Sequence, residues 1–267
     1  MIDINPDHCS LAQGFGANAN PSYAGVGLKG HTGVDLACGY GTPIHSPFDM
    51  YVYKVLTVAN PSNDGTGFTG VFAIVDNGIE CFEYLIGHCA PSVAVGQLVH
   101  AGDVIGTEAN HGTVYGANGL VTLAQQKAGS HDGSHRHNQK RPVMKVQHTQ
   151  PGFSYLDNYS DNRAGSNYRD VSGNYYQVWD YGNGYNGCVD PTKSVFQRDL
   201  TIGASGYDVY VLQRLLVQQG ATFAPTGYFG ILTQAALAKL QAYIGLHPDV
   251  GYFGPLTRAA VIHTYNL

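Results

Sequence analysis

The stretch His31-Thr32-Gly33-Val34-Asp35 places a histidine and an aspartate four positions apart. Residues at this spacing on a strand project from the same face, so the imidazole and the carboxylate can point toward one metal ion. Zinc accepts both ligand types, usually in a tetrahedron. A third ligand must come from elsewhere, and residues 135–137 (His-Arg-His) offer two histidines on one strand face. One of them would complete a set of two histidines and one aspartate with an open fourth position, as in catalytic zinc sites.

The composition is that of a globular protein with no obvious polyanionic partner. The chain has 267 residues, a net charge of -5 and a charged fraction of 12%, so we expect no nucleic-acid binding. No apolar run approaches the length of a bilayer crossing, so we expect no membrane insertion. The N-terminus has neither a basic region nor an apolar core, which predicts no signal peptide. We expect a monomer.

The cysteines do not suggest a thiolate metal site. The five residues are Cys9, Cys38, Cys81, Cys89 and Cys188. None forms a Cys-x-x-Cys pair, which excludes the usual zinc knuckle spacing. We expect mostly reduced, buried thiols. A disulfide that links Cys81 or Cys89 to another cysteine remains open.

The first 150 residues have the pattern of a β domain. Short apolar runs at 49–56, 70–75 and 80–86 predict strands, and Asn77-Gly78 between the last two predicts a hairpin turn. No long helical period occurs in this part, so we predict a mainly antiparallel β domain over residues 1–150. Residues 151–198 are rich in Tyr, Asn and Gly and read as a partly ordered linker, with a short hairpin around 175–179.

Residues 199–267 carry helical signals and an internal repeat. Residues 205–208 resemble a capping box ahead of apolar residues at helical spacing. The segment 227–237 recurs 24 residues later as 251–261, and in each copy a threonine, Thr233 or Thr257, is placed to cap a helix. We therefore predict three short helices. The whole chain is then an α+β multidomain protein, with a β domain followed by a small three-helix bundle.

The first domain resembles the lysostaphin-type zinc endopeptidases, which cleave peptide stems or cross-links of bacterial peptidoglycan. The motifs that carry the resemblance, between residues 10 and 148, are 30–36 (GHTGVDL), 41–44 (GTPI), 46–49 (SPFD), Tyr84 with His88, Gly96, 102–106 (GDVIG) and 135–137 (HRH). The resemblance implies that one zinc ion is bound by His31, Asp35 and His137. It also implies that His88 and His135 assist catalysis.

Four features depart from the family pattern. Arg136 stands where the family usually has leucine, and the run 110–134 is longer than the compact family loop, which indicates an insertion. His131 lies in the same cluster and competes for the roles of the His-Arg-His pair. His88 follows Tyr84 by four residues rather than two.

The mechanism that the resemblance implies is metal-assisted hydrolysis. Zinc activates a water molecule and polarises the scissile carbonyl, while His88 and His135 orient the water and protonate or stabilise the tetrahedral species. The sequence has no His-Glu-x-x-His helix, so no glutamate is placed as the base and histidines must take that role.

The C-terminal repeat resembles the three-helix peptidoglycan-binding domain over about 68 residues. Its motifs are Leu212-Gln213, 227–233, Leu240-Gln241, Gly245-Leu246 and 254–257. A catalytic head joined to a wall-binding module is the layout of a phage lysin or an autolysin. Without a signal peptide, we expect a phage endolysin that is made in the host cytoplasm and reaches the wall after holin-mediated release.

Two alternatives remain open. The first is a catalytically inactive peptidoglycan-binding or activator protein, against which the intact ligand set argues. The second is a wall hydrolase of another bond class, a muramidase or an amidase, with the same targeting module. Glu80, Glu83 and Glu108 are the only glutamates, and no paired carboxylate accompanies them in a glycosidase motif.

Overall fold

The computed structural model describes residues 3–17, 23, 28–63, 67–146 and 188–267, with the backbone of two further strands, Asn167–Arg169 and Tyr175–Val178. The chain divides into two compact units. The larger spans Asp3–Val75 and Phe82–Pro191, and the smaller contains Asp76–Cys81 and Thr192–Leu267. No helix of the described residues has both the length and the apolar character needed to cross a membrane.

Strands dominate the N-terminal part of the chain. They are β1 (Ser10–Gln13), β2 (Val34–Ala37), β3 (Pro43–His45), β4 (Met50–Leu56), β5 (Gly70–Asp76), β6 (Cys81–Gly87), β7 (Cys89–Pro91), β8 (Leu98–Val99), β9 (Val104–Glu108), β10 (Val114–Gly116), β11 (Gly119–Val121), β12 (Arg136–Val146), β13 (Asn167–Arg169) and β14 (Tyr175–Val178). A short helix, α1 (Leu123–Lys127), follows β11.

The main sheet has the strand order β1-β2-β12-β6-β5-β4-β8, and β14 pairs with β12 and β13. The pairs β1–β2, β2–β12, β12–β6 and β4–β5 are antiparallel. A three-stranded sheet, β3-β9-β7, and the hairpin β10-β11 complete the arrangement. The predicted mainly antiparallel β domain is confirmed.

Strands β5 and β6 are apolar along nearly their whole length because both of their faces are covered. Val71 and Ala73 belong to the main core with Phe82, whereas Phe72 packs in a second cluster with Leu85. Alternate side chains on a strand point to opposite faces, so two covered faces require a continuous apolar run. The predicted Asn77-Gly78 turn lies between these strands, and Gly78 has a φ of 87° there.

The structure contains a disulfide that the sequence analysis did not name. Cys9 and Cys38 are bonded across a sequence separation of 29 residues. The expectation of mostly reduced, buried thiols holds for the other three cysteines and not for this pair. The β1–β2 pairing brings Cys9 and Cys38 together. Cys81, Cys89 and Cys188 are buried and take part in no disulfide, so the bridge left open at Cys81 or Cys89 is not formed.

The smaller unit contains the three helices expected from the repeat, α2 (Tyr207–Gln218), α3 (Ile231–Tyr243) and α4 (Pro255–Tyr265). The predicted caps are wrong. The residues before the helices are Gly206, Gly230 and Gly254, none of which makes a side-chain cap.

Thr233 and Thr257 lie inside the first turns because α3 and α4 begin two residues before them. Their hydroxyls accept hydrogen bonds from buried glutamines: Gln213 Nε2 donates to Thr233 Oγ1 over 2.9 Å, and Gln241 Nε2 donates to Thr257 Oγ1 over 2.8 Å. The two copies of the repeat therefore build the same contact twice.

Most of the predicted linker, residues 151–198, lies outside the described residues. Within it, β14 pairs with β13 and with the end of β12, which is the region where a short hairpin was predicted. The domain boundaries stay predictions.

Candidate metal centre and active site

The structure brings His31, Asp35 and His137 together. Strands β2 and β12 pair with Asp35 opposite His137, so the register sets these two side chains side by side. His31 Nε2 lies 3.0 Å from Asp35 Oδ1 and 2.9 Å from His137 Nδ1, and the latter two atoms are 2.9 Å apart. All three residues are buried. Among the described residues, this is the group of three or more side chains that could hold a metal ion.

The geometry fits a zinc ion. Bonds of about 2.0–2.1 Å in a tetrahedral site separate the ligand atoms by roughly 3.3 Å. The three atoms lie only a few tenths of an ångström closer together than that. A small outward shift of each side chain would accommodate the ion. These residues remain a predicted ligand set.

Acceptors around the site select the imidazole tautomer that zinc needs. The second nitrogen of His31, Nδ1, lies 3.1 Å from the Gly14 carbonyl oxygen. The second nitrogen of His137, Nε2, lies 3.3 Å from Gln139 Oε1. With zinc bound, a proton at each of these second nitrogens would leave a lone pair on His31 Nε2 and His137 Nδ1 for the ion. Without the ion, the same two nitrogens can donate to Asp35 Oδ1 instead.

The aspartate is held in its charged form. Burial opposes ionisation of Asp35, but hydrogen bonds from His137 and His31 outweigh burial and lower the pKa of its carboxyl far below the usual range. An anionic oxygen is therefore available as a ligand at any ordinary pH.

Gly33 allows the ring of His137 to occupy its place. A Cβ at position 33 would lie 2.8 Å from His137 Cε1 and Nε2, and closer still to the Asn138 carbonyl oxygen. Real Cβ atoms do not approach other atoms this closely. The glycine between the two motif residues is thus required by the close approach of β12.

His88 and His135 stand beside the ligand group. Their ring centroids are 4.8 Å apart, and His135 Nε2 lies 3.7 Å from Asp35 Oδ2. His88 Nδ1 contacts the His111 carbonyl oxygen at 2.8 Å, and His135 Nδ1 contacts the Gly133 carbonyl oxygen at 2.7 Å. In the neutral tautomer that donates from Nδ1, the Nε2 of either ring is the acceptor.

The backbone and the surroundings of His88 are unusual. Its φ of 58° is in the left-handed region, which a non-glycine residue seldom adopts. Burial, followed by the neighbouring His135 and His137, lowers the pKa of His88 to about 3. The imidazole is therefore neutral at physiological pH.

His131 does not join this group. Its ring stacks on Tyr40 with centroids 3.8 Å apart. It is not one of the three residues that could hold the metal ion, for which the sequence left it in competition with His135 and His137.

Arg136, the residue that departs from the family pattern, has a defined partner. Its side chain is buried, forms an ion pair with Asp7 and donates to Asn5 Oδ1 over 3.1 Å. The N-terminal segment therefore anchors the strand that carries His137. Sequence reasoning missed this contact because nothing in the pattern links residues 129 positions apart.

Glu108 has a structural role. Its carboxylate accepts hydrogen bonds from the backbone N–H groups of Cys38 and Gly39 and from Ser134 Oγ, at 2.7, 2.9 and 2.9 Å. It ties the end of β2 to the residue that precedes His135. The carboxylate is thus engaged by structural donors, in agreement with the absence of a glycosidase motif in the sequence.

Two segments of the chain match known families. Residues 29–130 match Peptidase family M23, and residues 205–261 match a putative peptidoglycan binding domain. The first segment includes His31, Asp35 and His88, and strand β12 follows it. These matches confirm both resemblances seen in the sequence motifs. No curated protein sequence matches the chain.

Three solved structures illustrate what the chain is similar to. They are LytU (25% identity, TM-score 0.35, covering 50% of this chain and 74% of that one), the catalytic domain of the antimicrobial peptidase lysostaphin from Staphylococcus simulans (21%, 0.36, 51% and 82%) and the catalytic domain of the prophage-encoded M23 protein EnpA from Enterococcus faecalis (19%, 0.35, 58% and 93%).

Proposed function

Since the chain carries a domain of Peptidase family M23 followed by a peptidoglycan-binding domain, we propose that it is a zinc-dependent endopeptidase that cleaves peptide stems or cross-links of bacterial peptidoglycan. The observation that carries this proposal is the buried triangle of His31, Asp35 and His137, whose possible ligand atoms all lie within 4.8 Å of one another.

The histidines beside the triangle supply the proton transfers. A bound zinc ion would act as a Lewis acid toward the scissile carbonyl and make water more acidic. His88 and His135 can each hold a proton on Nδ1 against a backbone carbonyl. In that tautomer Nε2 would take a proton from the attacking water and return it to the departing amine.

Metal content and wall hydrolysis test the proposal together. We expect about one zinc ion per chain, and we expect purified sacculi to release new amino groups in a reaction that a chelator stops. His137→Ala should lose both zinc and hydrolysis. His100→Ala, which alters a histidine whose side chain is 68% exposed, is the matched control and should retain both. Hydrolysis that survives both the chelator and His137→Ala would overturn the zinc mechanism.

Mass spectrometry of the digest separates the remaining bond classes. New peptide amines with intact glycan strands support the endopeptidase, whereas new reducing sugar ends indicate a muramidase. Binding to sacculi without any product indicates an inactive wall-binding or activator protein.

The biological setting that fits this layout is a phage endolysin, made in the host cytoplasm and released through a holin pore. Expression inside bacteria tests this: lysis should need a co-expressed holin. We also expect a monomer, which gel filtration of the 28.6 kDa chain checks.

A further inference from the structure

The imidazole of His88 is fixed through one ring nitrogen and through its backbone. Nδ1 lies 2.8 Å from the His111 carbonyl oxygen. A carbonyl oxygen can only accept, so this hydrogen bond requires the proton on Nδ1. The backbone N–H of His88 donates to the Thr69 carbonyl over 3.0 Å. Because its φ of 58° is unfavourable for a non-glycine residue, the surrounding structure must impose this conformation.

Phe68 makes an aromatic contact with the same imidazole. The ring centroids of Phe68 and His88 are 5.0 Å apart, and the two rings are inclined at 64° in an edge-to-face arrangement. This separation is typical of aromatic pairs that attract each other. The approach of the phenyl ring depends on Gly87, because a Cβ there would lie 2.3 Å from Phe68 Cζ. The phenyl ring therefore occupies the space beside His88 that a larger residue 87 would fill.

The position of Phe68 is held by contacts of its own. Its backbone N–H donates to Ser62 Oγ over 2.8 Å, and its carbonyl accepts the Ser62 N–H over 3.0 Å. The phenyl ring also packs against a buried cluster that consists of Leu56, Phe72 and Leu85. Phe68 is therefore restrained independently of its contact with the imidazole.

The two segments that contact the imidazole also pack against each other. Gly112 follows His111 and has a φ of 84°. A Cβ at position 112 would lie 3.0 Å from the Gly67 carbonyl oxygen and 3.1 Å from Phe68 Cα. His111 and Gly112 belong to the run 110–134, which is longer than the compact family loop. The start of this insertion thus supports His88 together with Phe68.

We propose that Phe68 is a positioning residue, whose ring keeps the His88 imidazole in the orientation in which Nδ1 donates to the His111 carbonyl and Nε2 is the acceptor. The inference rests on the proposed function, in which His88 transfers a proton through Nε2. A phenyl ring has no titratable group, so Phe68 acts only through His88. Without the phenyl ring, the imidazole is free to turn about its Cβ–Cγ bond and to lose the hydrogen bond to His111.

Kinetics of the zinc-loaded full chain on soluble wall peptides test this role. Phe68→Leu keeps an apolar side chain and removes the aromatic ring. We expect kcat to fall at least about tenfold, while KM changes less than about twofold and the zinc content stays parental. Phe48→Leu is the matched control, because the Phe48 ring is also partly buried and packs edge-to-face on Phe82 and Tyr84. This control should keep the parental kcat.

A double-mutant cycle distinguishes action through His88 from a separate role of Phe68. His88→Gln should lower kcat about a hundredfold or more. In that background, Phe68→Leu should lower kcat less than about twofold further, because no imidazole is left to be positioned. Two losses that multiply would show that Phe68 acts on the substrate or on the metal centre, and would overturn the proposal.

NMR of the imidazole nitrogens gives a readout that does not require cleavage. In the zinc-loaded parent, His88 should show one tautomer with the proton on Nδ1, and the signals that disappear in His88→Gln identify this residue. Phe68→Leu should show a mixture of tautomers, whereas Phe48→Leu should match the parent. An unchanged His88 spectrum in Phe68→Leu would contradict the positioning role.

Failure of this inference is distinguishable from failure of the proposed function. If sacculi are hydrolysed and Phe68→Leu keeps the parental kcat, the positioning role alone is rejected. If the parent hydrolyses nothing while the His88 tautomer still depends on Phe68, the enzyme is rejected and the control of His88 by Phe68 is supported.

Discussion

Gly33 controls the position of the His137 ring, so the smallest possible change there should disturb the metal centre. In Gly33→Ala the new methyl group would meet the imidazole and the Asn138 carbonyl. We expect zinc affinity to fall at least about tenfold and the free energy of unfolding to fall by about 1–3 kcal/mol. Competition with a fluorescent zinc chelator measures the affinity.

Gly14→Ala is the matched control for this change. Position 14 also borders the centre through its carbonyl, yet a Cβ there meets nothing within 4 Å. Zinc affinity that is the same in both variants would show that the fit of His137 against residue 33 does not matter.

Asp7 supplies the charge partner of Arg136, the buried residue that departs from the family pattern. Burial opposes its ionisation, but hydrogen bonds from Arg136 and His45 outweigh burial and lower the pKa of its carboxyl. Asp7→Asn would leave the buried Arg136 without its charge partner. We expect a loss of about 3–5 kcal/mol in the free energy of unfolding at pH 7.

The pH dependence of this loss has a defined sign. A carboxyl with a lowered folded-state pKa stabilises the fold above its ordinary pKa, and this contribution disappears as the pH falls and the group is protonated. The difference between the parent and Asp7→Asn should therefore be full at pH 7 and shrink below about pH 4. Denaturant unfolding at several pH values measures it. Asp249→Asn, in the exposed pair with His247, should show almost no difference. A gap for Asp7→Asn that stays constant as the pH falls below about 4 would contradict the account.

At the level of elements, the disulfide joins the segment before β1 to the end of β2. It closes a loop across 29 residues, and such a bridge stabilises a fold by roughly 3–4 kcal/mol in the chain-entropy model. Reduction, or Cys9→Ser, should lower the free energy of unfolding by this amount. Unfolding with and without reductant measures the effect. Since Cys9→Ser already lacks the bridge, reductant should not destabilise that variant further. An unchanged free energy of unfolding of the parent protein in reductant would contradict the prediction.

The elements differ in how well the sequence predicts them. Strands β5 and β6 and the three C-terminal helices follow from apolar runs, an Asn-Gly turn and a repeat, all of which are local signals. The pairing of Cys9 with Cys38 and the contact of Asp7 with Arg136 depend on which strands become neighbours, and no local pattern encodes that. The caps expected at Thr233 and Thr257 failed for a related reason, because their hydroxyls are used by glutamines on the preceding helices.

The candidate site also combines local sequence signals with contacts that depend on which strands pair. The motifs predict the residue types of the ligand set, and the structure shows why they meet, through the β2–β12 register.

For the molecule as a whole, the proposal assigns hydrolysis and wall attachment to different parts of the chain, and two variants should separate them. His137→Ala should abolish hydrolysis while the protein still sediments with sacculi.

Gln241→Leu removes the side chain that bonds the Tyr252 carbonyl, Thr257 and the Gly251 N–H. Each buried group left unpaired costs roughly 1–3 kcal/mol of folding free energy. It should lose sedimentation while soluble wall peptides are still cleaved at the parental rate. Because attachment raises the local substrate concentration, its rate on whole sacculi should fall at least about tenfold. Gln219→Leu, an exposed change after α2, should behave as the parent in both assays. If His137→Ala also failed to sediment, or if Gln241→Leu cleaved sacculi at the parental rate, attachment by the C-terminal helices would not be what directs this hydrolase to the wall.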